Sequence, residues 1–379
     1  MLRPLPIVTI VTSLAAAISL ACSDTAAPGS GGLPDAPATS QMSKAPAQGP
    51  TLTDQQSNTT VRLFAVSPVN SRIVWAAGNL GTYVVTTDGG EHWRAAQVPG
   101  AEALPFRDVQ AVNARIAYLL SIGSGSDSRI YKTVNGGQTW NLEFQSQDPN
   151  AFYDCFDFWS PKRGLTFSDA SGGRFPVIKT TDGETWQDIG DRLPTPQAGE
   201  AAFASSGTCV ATQGERFAWI GTGGAARARI LATTDAGATW NAYLIPAGFT
   251  QGTPVSGIAS VAFRDRFHGI LGGGDVVAST TPQVNVARSQ DGGVTWALTT
   301  PTPFTGAVYG LSYVPHRFKQ TVVATGPGGA AWTPNEGDTW SLLPGITNCW
   351  AVAFASPKAG WLVCGAGRIV KVSFGDNED

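Results

Sequence analysis

From residue 61 onward short apolar runs alternate with polar turns, and the alternation itself repeats over a long period. In the first unit Leu63–Val66 is apolar, Asn70–Arg72 is a polar turn, Ile73–Gly78 is a second apolar run ending in glycine, and Tyr83–Val85 is a third. Short apolar runs bounded by Gly, Asn and Ser predict strands rather than helices. The third run leads into a polar segment of fixed spacing. It reads TTDGGEHW from Thr86 to Trp93, TVNGGQTW from Thr133 to Trp140, TTDAGATW from Thr233 to Trp240, SQDGGVTW from Ser289 to Trp296 and TPNEGDTW from Thr333 to Trp340. A form one residue shorter, TTDGETW, runs from Thr180 to Trp186. The closing tryptophans are 47, 46, 54, 56 and 44 residues apart, the length of a four-stranded propeller blade.

The chemistry of the segment predicts a hairpin turn. Asp88, Asn135, Asp182, Asp235, Asp291 and Asn335 can accept hydrogen bonds from backbone amides a few residues on, and the glycines supply the positive φ of a tight turn. Trp93, Trp140, Trp186, Trp240, Trp296 and Trp340 then start the outgoing strand, each expected to wedge its apolar face between sheets while its indole N–H finds a polar partner. These twelve residues are read as structural. At the C-terminus Trp350–Phe354, Trp361–Gly365 and Arg368–Val372 give three strands, and the chain stops without the turn. The expected fold is therefore an all-β, seven-bladed propeller over 61–379. Its last blade lacks an outer strand, and an open sheet edge is a liability, so a strand drawn from residues 46–60 is expected to close it.

The composition fits. Only 14% of residues are charged, with 45 Gly and 25 Pro, a punctuation density suited to strands and turns. A net charge of -3 argues against a nucleic-acid partner. Residues 1–22 contain Arg3, an uncharged apolar run from Ile7 to Ala21 and then Cys22. This reads as an export signal, too short for a membrane span of about 20 residues. Ser19-Leu20-Ala21-Cys22 resembles a bacterial lipobox, which implies lipidation of Cys22. Ser19 and Ala21 equally suit an ordinary cleavage site, so both readings stand. Residues 23–60 contain no aromatic side chain and read as a flexible linker. The expected location is periplasmic or cell-surface, anchored to the membrane.

The S/T-x-D/N-x-G-x-x-W segments are similar to the Asp-box (BNR) repeats of sialidases and related propellers. The wider blade, with its Ser-Pro-x-x-Gly-Trp turn, resembles the photosystem II stability/assembly factor family, and the resemblance covers all of 61–379. It implies a non-enzymatic, monomeric scaffold that binds envelope or membrane proteins and carries no cofactor or metal. The alternative it leaves is a glycan-binding or sialidase-like glycoside hydrolase propeller.

Four further cysteines form two candidate disulfides. Cys155 and Cys209 lie on inner strands of neighbouring blades three and four, and Cys349 and Cys364 on the arms of one hairpin, near-diagonal partners. Buried free thiols are the other reading of each pair. Catalytic signals are weak. Gly221–Ala226 matches a dinucleotide fingerprint but runs into a strand rather than a helix, and His92, His268 and His316 share no metal-ligand spacing. Arg174-Phe-Pro176 is a near match to a sialidase Arg-Ile-Pro segment in the wrong blade. Tyr309 and Tyr313 have no Glu or Asp within 301–320. Asp154 and Asp157 point to opposite faces of one strand.

What remains is a binding surface. Loops joining successive blades share one rim with those between second and third strands, and these are the longer loops. Arg129, Arg229 and Arg368 start the third strand in three blades, Arg174 lies close by, and Arg107 is assigned to an inter-blade loop. Together they would form a partner-binding cluster for carboxylate or phosphate groups, unless each is a solvated strand cap. The opposite rim carries its own basic turns at Arg72, Arg115, Arg163, Arg216, Arg266, Arg317 and Lys358, so loop length rather than charge selects the face.

Overall fold

The computed structural model describes residues 49–316 and 320–375. Cys22, the signal-like segment, most of the linker and Arg317 lie outside them. The described residues form seven four-stranded antiparallel sheets, with helix limited to a few single 3-10 turns. Six sheets are consecutive in sequence; blade one, for example, comprises Leu63–Pro68, Val74–Gly78, Thr82–Thr86 and Arg94–Gln97. The inner strand of each blade packs on the next, and that of blade seven, Cys349–Ser356, packs on Leu63–Pro68 of blade one. The result is a closed seven-bladed propeller.

Blade seven takes its outer strand from the other end of the chain. Thr51–Gln55 pairs antiparallel with Ile369–Ser373, from Thr51 opposite Ser373 to Gln55 opposite Ile369. Side chains fasten this strand beyond its ladder. The Gln55 carboxamide oxygen accepts from the indoles of Trp93 (3.2 Å) and Trp361 (3.1 Å), and its nitrogen donates to the Gly89 carbonyl at 3.0 Å. Asn58 donates to the Trp93 carbonyl at 2.6 Å, and Arg368 grips Asp54 with two nitrogens. Gln55 thus ties the first blade to the last, beside the packing of their inner strands.

The repeated turns share one hydrogen-bond scheme. In blade one the Thr86 hydroxyl donates to Asp88 (2.7 Å) and accepts from the Gly90 amide (3.0 Å), while Asp88 accepts from the His92 amide (3.0 Å). Thr133, Thr180, Thr233, Ser289 and Thr333 play the same part with Asn135, Asp182, Asp235, Asp291 and Asn335. The expectation for the indoles holds in half the turns. Trp93, Trp296 and Trp340 donate to Gln55, Gly293 and Thr300, whereas the N–H groups of Trp140, Trp186 and Trp240 are buried with no acceptor among the described residues. Trp140 instead packs edge-on against Trp75 and Tyr83 of blade one, so its contribution is area rather than polarity.

Adjacent inner strands are stapled by side chains that accept the next blade's amide. Ser67 accepts from Ala111 at 3.0 Å, Asp108 from Phe156 at 2.9 Å, Asp157 from Thr212 at 2.6 Å and Ser260 from Leu311 at 3.1 Å. Two of these four acceptors, Asp108 and Asp157, are carboxylates. The structure joins Cys155 to Cys209 across blades three and four and Cys349 to Cys364 within blade seven. Cys349 sits directly opposite Cys364 rather than diagonal to it, because the register skips Trp350 before resuming at Ala351 opposite Val363.

Candidate functional site at the channel mouth

The skipped residue at Trp350 belongs to a pattern. Five inner strands carry a bulge near their start, leaving Phe64, Arg107, Asp154, Ala259 and Trp350 unpaired. A bulge bends the strand and re-aims one side chain, and here it brings side chains from several blades together at the long-loop mouth of the channel. Arg107 therefore lies within the strand Phe106–Ala111, not on an inter-blade loop as its sequence position suggests. Its guanidinium stacks over Phe64 at 3.7 Å and stands 5.6 Å from the Trp350 ring centroid. Arg62 covers Trp350 at 5.1 Å, Phe64 meets Trp350 edge-on at 5.1 Å, and Tyr309 leans on Trp350 at 4.9 Å. Two cations thus share one aromatic cluster.

The segment 202–208, which leads from blade three into blade four, bonds to several other blades at the mouth. Ala202 donates its amide to Asp169 of blade three at 2.8 Å, and the Ala204 carbonyl accepts from Arg107 Nη1 of blade two at 2.9 Å. Ser206 donates to the Tyr309 carbonyl beside blade six at 2.6 Å, and Thr208 bonds Ser260 of blade five at 2.6 Å. Gly207 is required here: its φ is +74°, and a Cβ would lie 2.4 Å from Asp108 Oδ1. The Cys155–Cys209 bridge fastens the end of the segment.

Electrostatics at the mouth are set by burial. Desolvation, reinforced by the nearby Arg62 charge, pulls Arg107 down to about 10, which leaves it cationic at neutral pH. Burial pushes Asp108 and Asp154 well above the usual carboxylate range, and Asp154 is raised further by the charge of Asp169 against it. Burial raises Asp157 to about 6 despite amide hydrogen bonds from Phe158 and Thr212. The charge of Asp169 thus bears on Asp154, while Asp157 turns to blade four. Among the described residues several buried polar atoms at the mouth have no partner: Arg107 Nε, Trp350 Nε1 and Asp154 Oδ2. A buried donor without an acceptor costs about 1–3 kcal/mol.

The other four arginines do not join this cluster. Arg174 is held by Asp188 (2.6 Å) and Asp191 (2.9 Å), and Arg368 by Asp54 of the closing strand. Arg229 forms a two-pronged ion pair with Glu200, whose side chain is 0% exposed and also accepts from Thr222 at 2.7 Å. Arg129 donates to the Ser126 carbonyl and the Tyr131 hydroxyl. Three of the five are therefore tied to carboxylates of this chain. Of the mouth residues, sequence inspection named Arg107, Asp154 and Tyr309 but missed the roles of Arg62, Phe64 and Trp350; their shared place at the start of an inner strand was the available signal.

Two other side-chain clusters lie apart from the mouth. Asp88, Glu91 and His92 are the one group among the described residues whose potential metal-ligating atoms lie within 4.8 Å of one another, but Asp88 is already engaged within its own turn. On the opposite rim the Tyr313 hydroxyl donates to Glu336 at 2.9 Å, and Glu336 is also held by Arg264 at 2.7 Å. The carboxylate missing from the neighbourhood of Tyr313 in sequence is supplied 23 residues downstream. The Gly221–Ala226 stretch leads into the strand Arg229–Thr233 and forms no helix. None of the described helices is long and apolar enough to cross a membrane.

No family model matches the sequence, and no curated protein matches it. Among solved structures the chain is similar to YCF48 bound to D1 peptide, at 16% identity over 86% of this chain and 97% of that one, with a TM-score of 0.55. It is similar to YCF48 from Cyanidioschyzon merolae at 15% identity over 85% and 98%, with a TM-score of 0.59. The Niastella koreensis GH74 enzyme aligns at 15% identity over 84% of this chain and 56% of that one, with a TM-score of 0.42. The likeness to the two YCF48 propellers is one of fold.

Proposed function

We propose that this chain is an exported, non-enzymatic propeller of the cell envelope, an Asp-box relative of the photosystem II assembly factors, that holds a protein partner at the long-loop mouth of its channel. The observation that carries this reading is the mouth itself: two arginines on an aromatic cluster, with residues 202–208 bonded to Arg107 and to the Tyr309 carbonyl. Aromatic and arginine side chains are the residue types that dominate protein recognition. A similar propeller, YCF48, has been solved with a D1 peptide bound, which supports a peptide-holding role. Cys22 then serves as the lipid anchor and 23–48 as the tether, and the chain acts as a monomer. Affinity capture from native membranes tests the function. The intact protein is expected to return a stoichiometric protein, and Arg62→Glu/Arg107→Glu to lose it with the fold retained; equal capture by both counts against this surface. Loss of membrane partitioning in Cys22→Ser tests the anchor.

One observation favours a second reading, a glycan-directed propeller. The contact between Tyr313 and Glu336 is the tyrosine–carboxylate pairing a sialidase-like nucleophile would use, beside a cavity of about 420 Å³ lined by Phe263, His316 and Phe354. Turnover of a fluorogenic glycoside panel, abolished by Tyr313→Phe, would establish it.

A further inference from the structure

We infer that the groove between blades four and five, on the rim that carries the repeated turns, binds a neutral pyranose ring of a glycan. The ring's apolar face lies on Phe267 and Val294, and its hydroxyls meet Thr234, Asn241 and Tyr243. The groove shares no residue with the channel mouth or with the cavity beside Tyr313, so it goes beyond both readings above and stands or falls apart from them.

The repeat is broken at this groove. In blades two, three, five and seven the third strand carries a long cation at one register, and it reaches a carbonyl in the turn of the next blade. Lys132 donates to Gly183 at 3.1 Å, Lys179 to Ala236 at 2.7 Å, Arg288 to Asn335 at 3.4 Å and Lys371 to Gly89 at 3.3 Å. Blade six packs Trp332 there against Phe374. Blade one crosses the gap with Arg94 of its outer strand, which donates to the Gly136 carbonyl at 2.6 Å. Blade four has Ala232 at this register, opposite Trp219, and Asn241 beside it where blade one has Arg94. No cation crosses, and a cavity of about 380 Å³ remains.

The walls depart from the repeat at the same place. The carbonyl that accepts from the turn amide belongs to Arg72, Arg115, Arg216 and Gln320 in other blades, and to Phe267 in blade five. Phe267 is 46% exposed, with the Arg266 guanidinium over its ring at 4.4 Å. Within the turn, Val294 stands where the others carry Glu91, Gln138, Ala238 and Asp338, and it is 45% exposed. Behind them lie the partly buried rings of Phe217 and Tyr243. Exposed apolar side chains that gather in one groove mark a binding surface, whereas scattered ones do not. The matching groove of blades one and two is open as well, but it is crossed by Arg94 and walled by Thr87, His92, Arg115 and Gln138.

The polar groups of the groove select the ligand. The Thr234 hydroxyl, the Asn241 carboxamide and the Tyr243 hydroxyl make no hydrogen bond among the described residues, and each can both donate and accept. Their match presents an apolar face and, around its edge, hydroxyls that do both, which is the build of a pyranose ring. Charge favours a neutral one. Arg266 and Asp291, one of each sign, both line the groove, and Asp291 is already engaged by Ser289 and Thr295. An apolar peptide side chain would cover Phe267 and Val294 but leave three polar groups facing it unmatched. The volume falls within the roughly 300–1,000 Å³ of small-ligand sites.

Saturation-transfer difference NMR on the full chain is the test. The probes are the methyl pyranosides of glucose, galactose, mannose and N-acetylglucosamine, with sorbitol as a polyol lacking a ring face and N-acetylphenylalaninamide as a peptide side chain. At least one pyranoside should be saturated, most strongly at the C–H protons of one ring face, and sorbitol should stay silent. Ala232→Lys restores the cation that blades two, three and seven carry at this register and should abolish the signal in a folded protein. Phe267→Arg installs the residue of blades one, two and four; it should weaken binding about tenfold and serves as the second probe if Ala232→Lys fails to fold. Arg115→Gln on blade two should change nothing. No saturated pyranoside, or a signal untouched by both Ala232→Lys and Phe267→Arg, overturns the inference. Saturation of N-acetylphenylalaninamide as strong as that of any pyranoside, lost in Phe267→Arg, also overturns it and assigns the groove to a peptide. Membrane capture through Arg62 and Arg107 is a separate readout, so either reading can fail while the other stands.

Discussion

On the rim that carries the repeated turns, the Asp and Asn side chains are spent within a few residues of where they arise; at the opposite mouth side chains are brought together from distant blades and left partly unspent. Hydrogen bonding from the His92 amide, the Thr86 hydroxyl and the His92 ring holds Asp88 well below its usual range. Asp235, although burial works against it, is brought to about 2 by the Thr239 side chain and amide. Along the channel the sign reverses: burial pushes Asp108, Asp154 and Asp157 upward, and Arg107 and Trp350 keep donors without acceptors. The repeated rim stabilises its charges and the unrepeated mouth carries them at a cost. Strained or unsatisfied groups that survive in a fold are expected where ligands bind.

The largest change would come from removing what both regions rest on. Deleting residues 49–58 strips the outer strand of blade seven, with Gln55 on the first repeated turn and Asp54 on Arg368. An exposed edge and a broken ring should lower stability by at least about 5 kcal/mol, seen as a large fall in melting temperature. An unchanged melting temperature would mean that blades one and seven hold the ring without the strand.

Next in size is Arg229→Gln. It leaves Glu200 with a side chain 0% exposed and no cation, and breaking a buried pair from one side costs about 3–5 kcal/mol. The expected drop in urea midpoint should be largely recovered in Arg229→Gln/Glu200→Gln, which removes the stranded charge. Without recovery, Arg229 would matter for packing rather than charge.

These contrasts also show what could be read without coordinates. The repeated turn was legible because Thr, Asp, Gly and Trp act there through contacts within eight positions, and the unfinished C-terminal blade pointed to a strand from upstream. The mouth was not legible, because it depends on a bulge that changes where one residue per strand points. Arg107 thus reads as a loop residue until Phe106 and Asp108 are seen pairing around it. Arg129, Arg229 and Arg368 align by position in the blade, with Arg174 close by, but the carboxylates that hold Arg174, Arg229 and Arg368 are Asp188, Glu200 and Asp54, positions with no repeat to mark them. Glu336 likewise reaches Tyr313 only when the inner strand and the repeated turn of one blade fold together.

Titration separates the two regions by sign. Asp157 has a folded value of about 6 against 3.8 for a free aspartate. The folded state therefore holds its proton more tightly, and stability contributed by this group is full below 3.8 and falls as pH rises toward 6. Asp235, at about 2 against 3.8, does the opposite: its contribution is present above 3.8 and is lost as pH falls toward 2. Melting temperature should then pass through a maximum near pH 4 and fall on either side. Asp157→Asn should flatten the alkaline limb and leave the acid limb alone, and Asp235→Asn the reverse. A melting temperature that climbs steadily from pH 2 to 8 would show that the channel carboxylates ionise without penalty.

The smallest effect is expected from Arg174→Gln, and it tests whether ion pairing alone or burial separates the arginines. Arg174 makes two ion pairs where Arg229 makes one, so counting bridges predicts the larger loss for Arg174. Its partners Asp188 and Asp191 are 50% and 90% exposed, however, and exposed pairs contribute about 0–1 kcal/mol because water solvates the carboxylate left behind. Arg174→Gln should accordingly stay within about 1 kcal/mol of the parent and lose even that difference in high salt. A loss as large as that of Arg229→Gln would mean that the guanidinium organises the turn at Gly190, whose amide bonds the same Asp188 carboxylate at 2.7 Å, and that this stretch of the long-loop rim is as rigid as the repeated one.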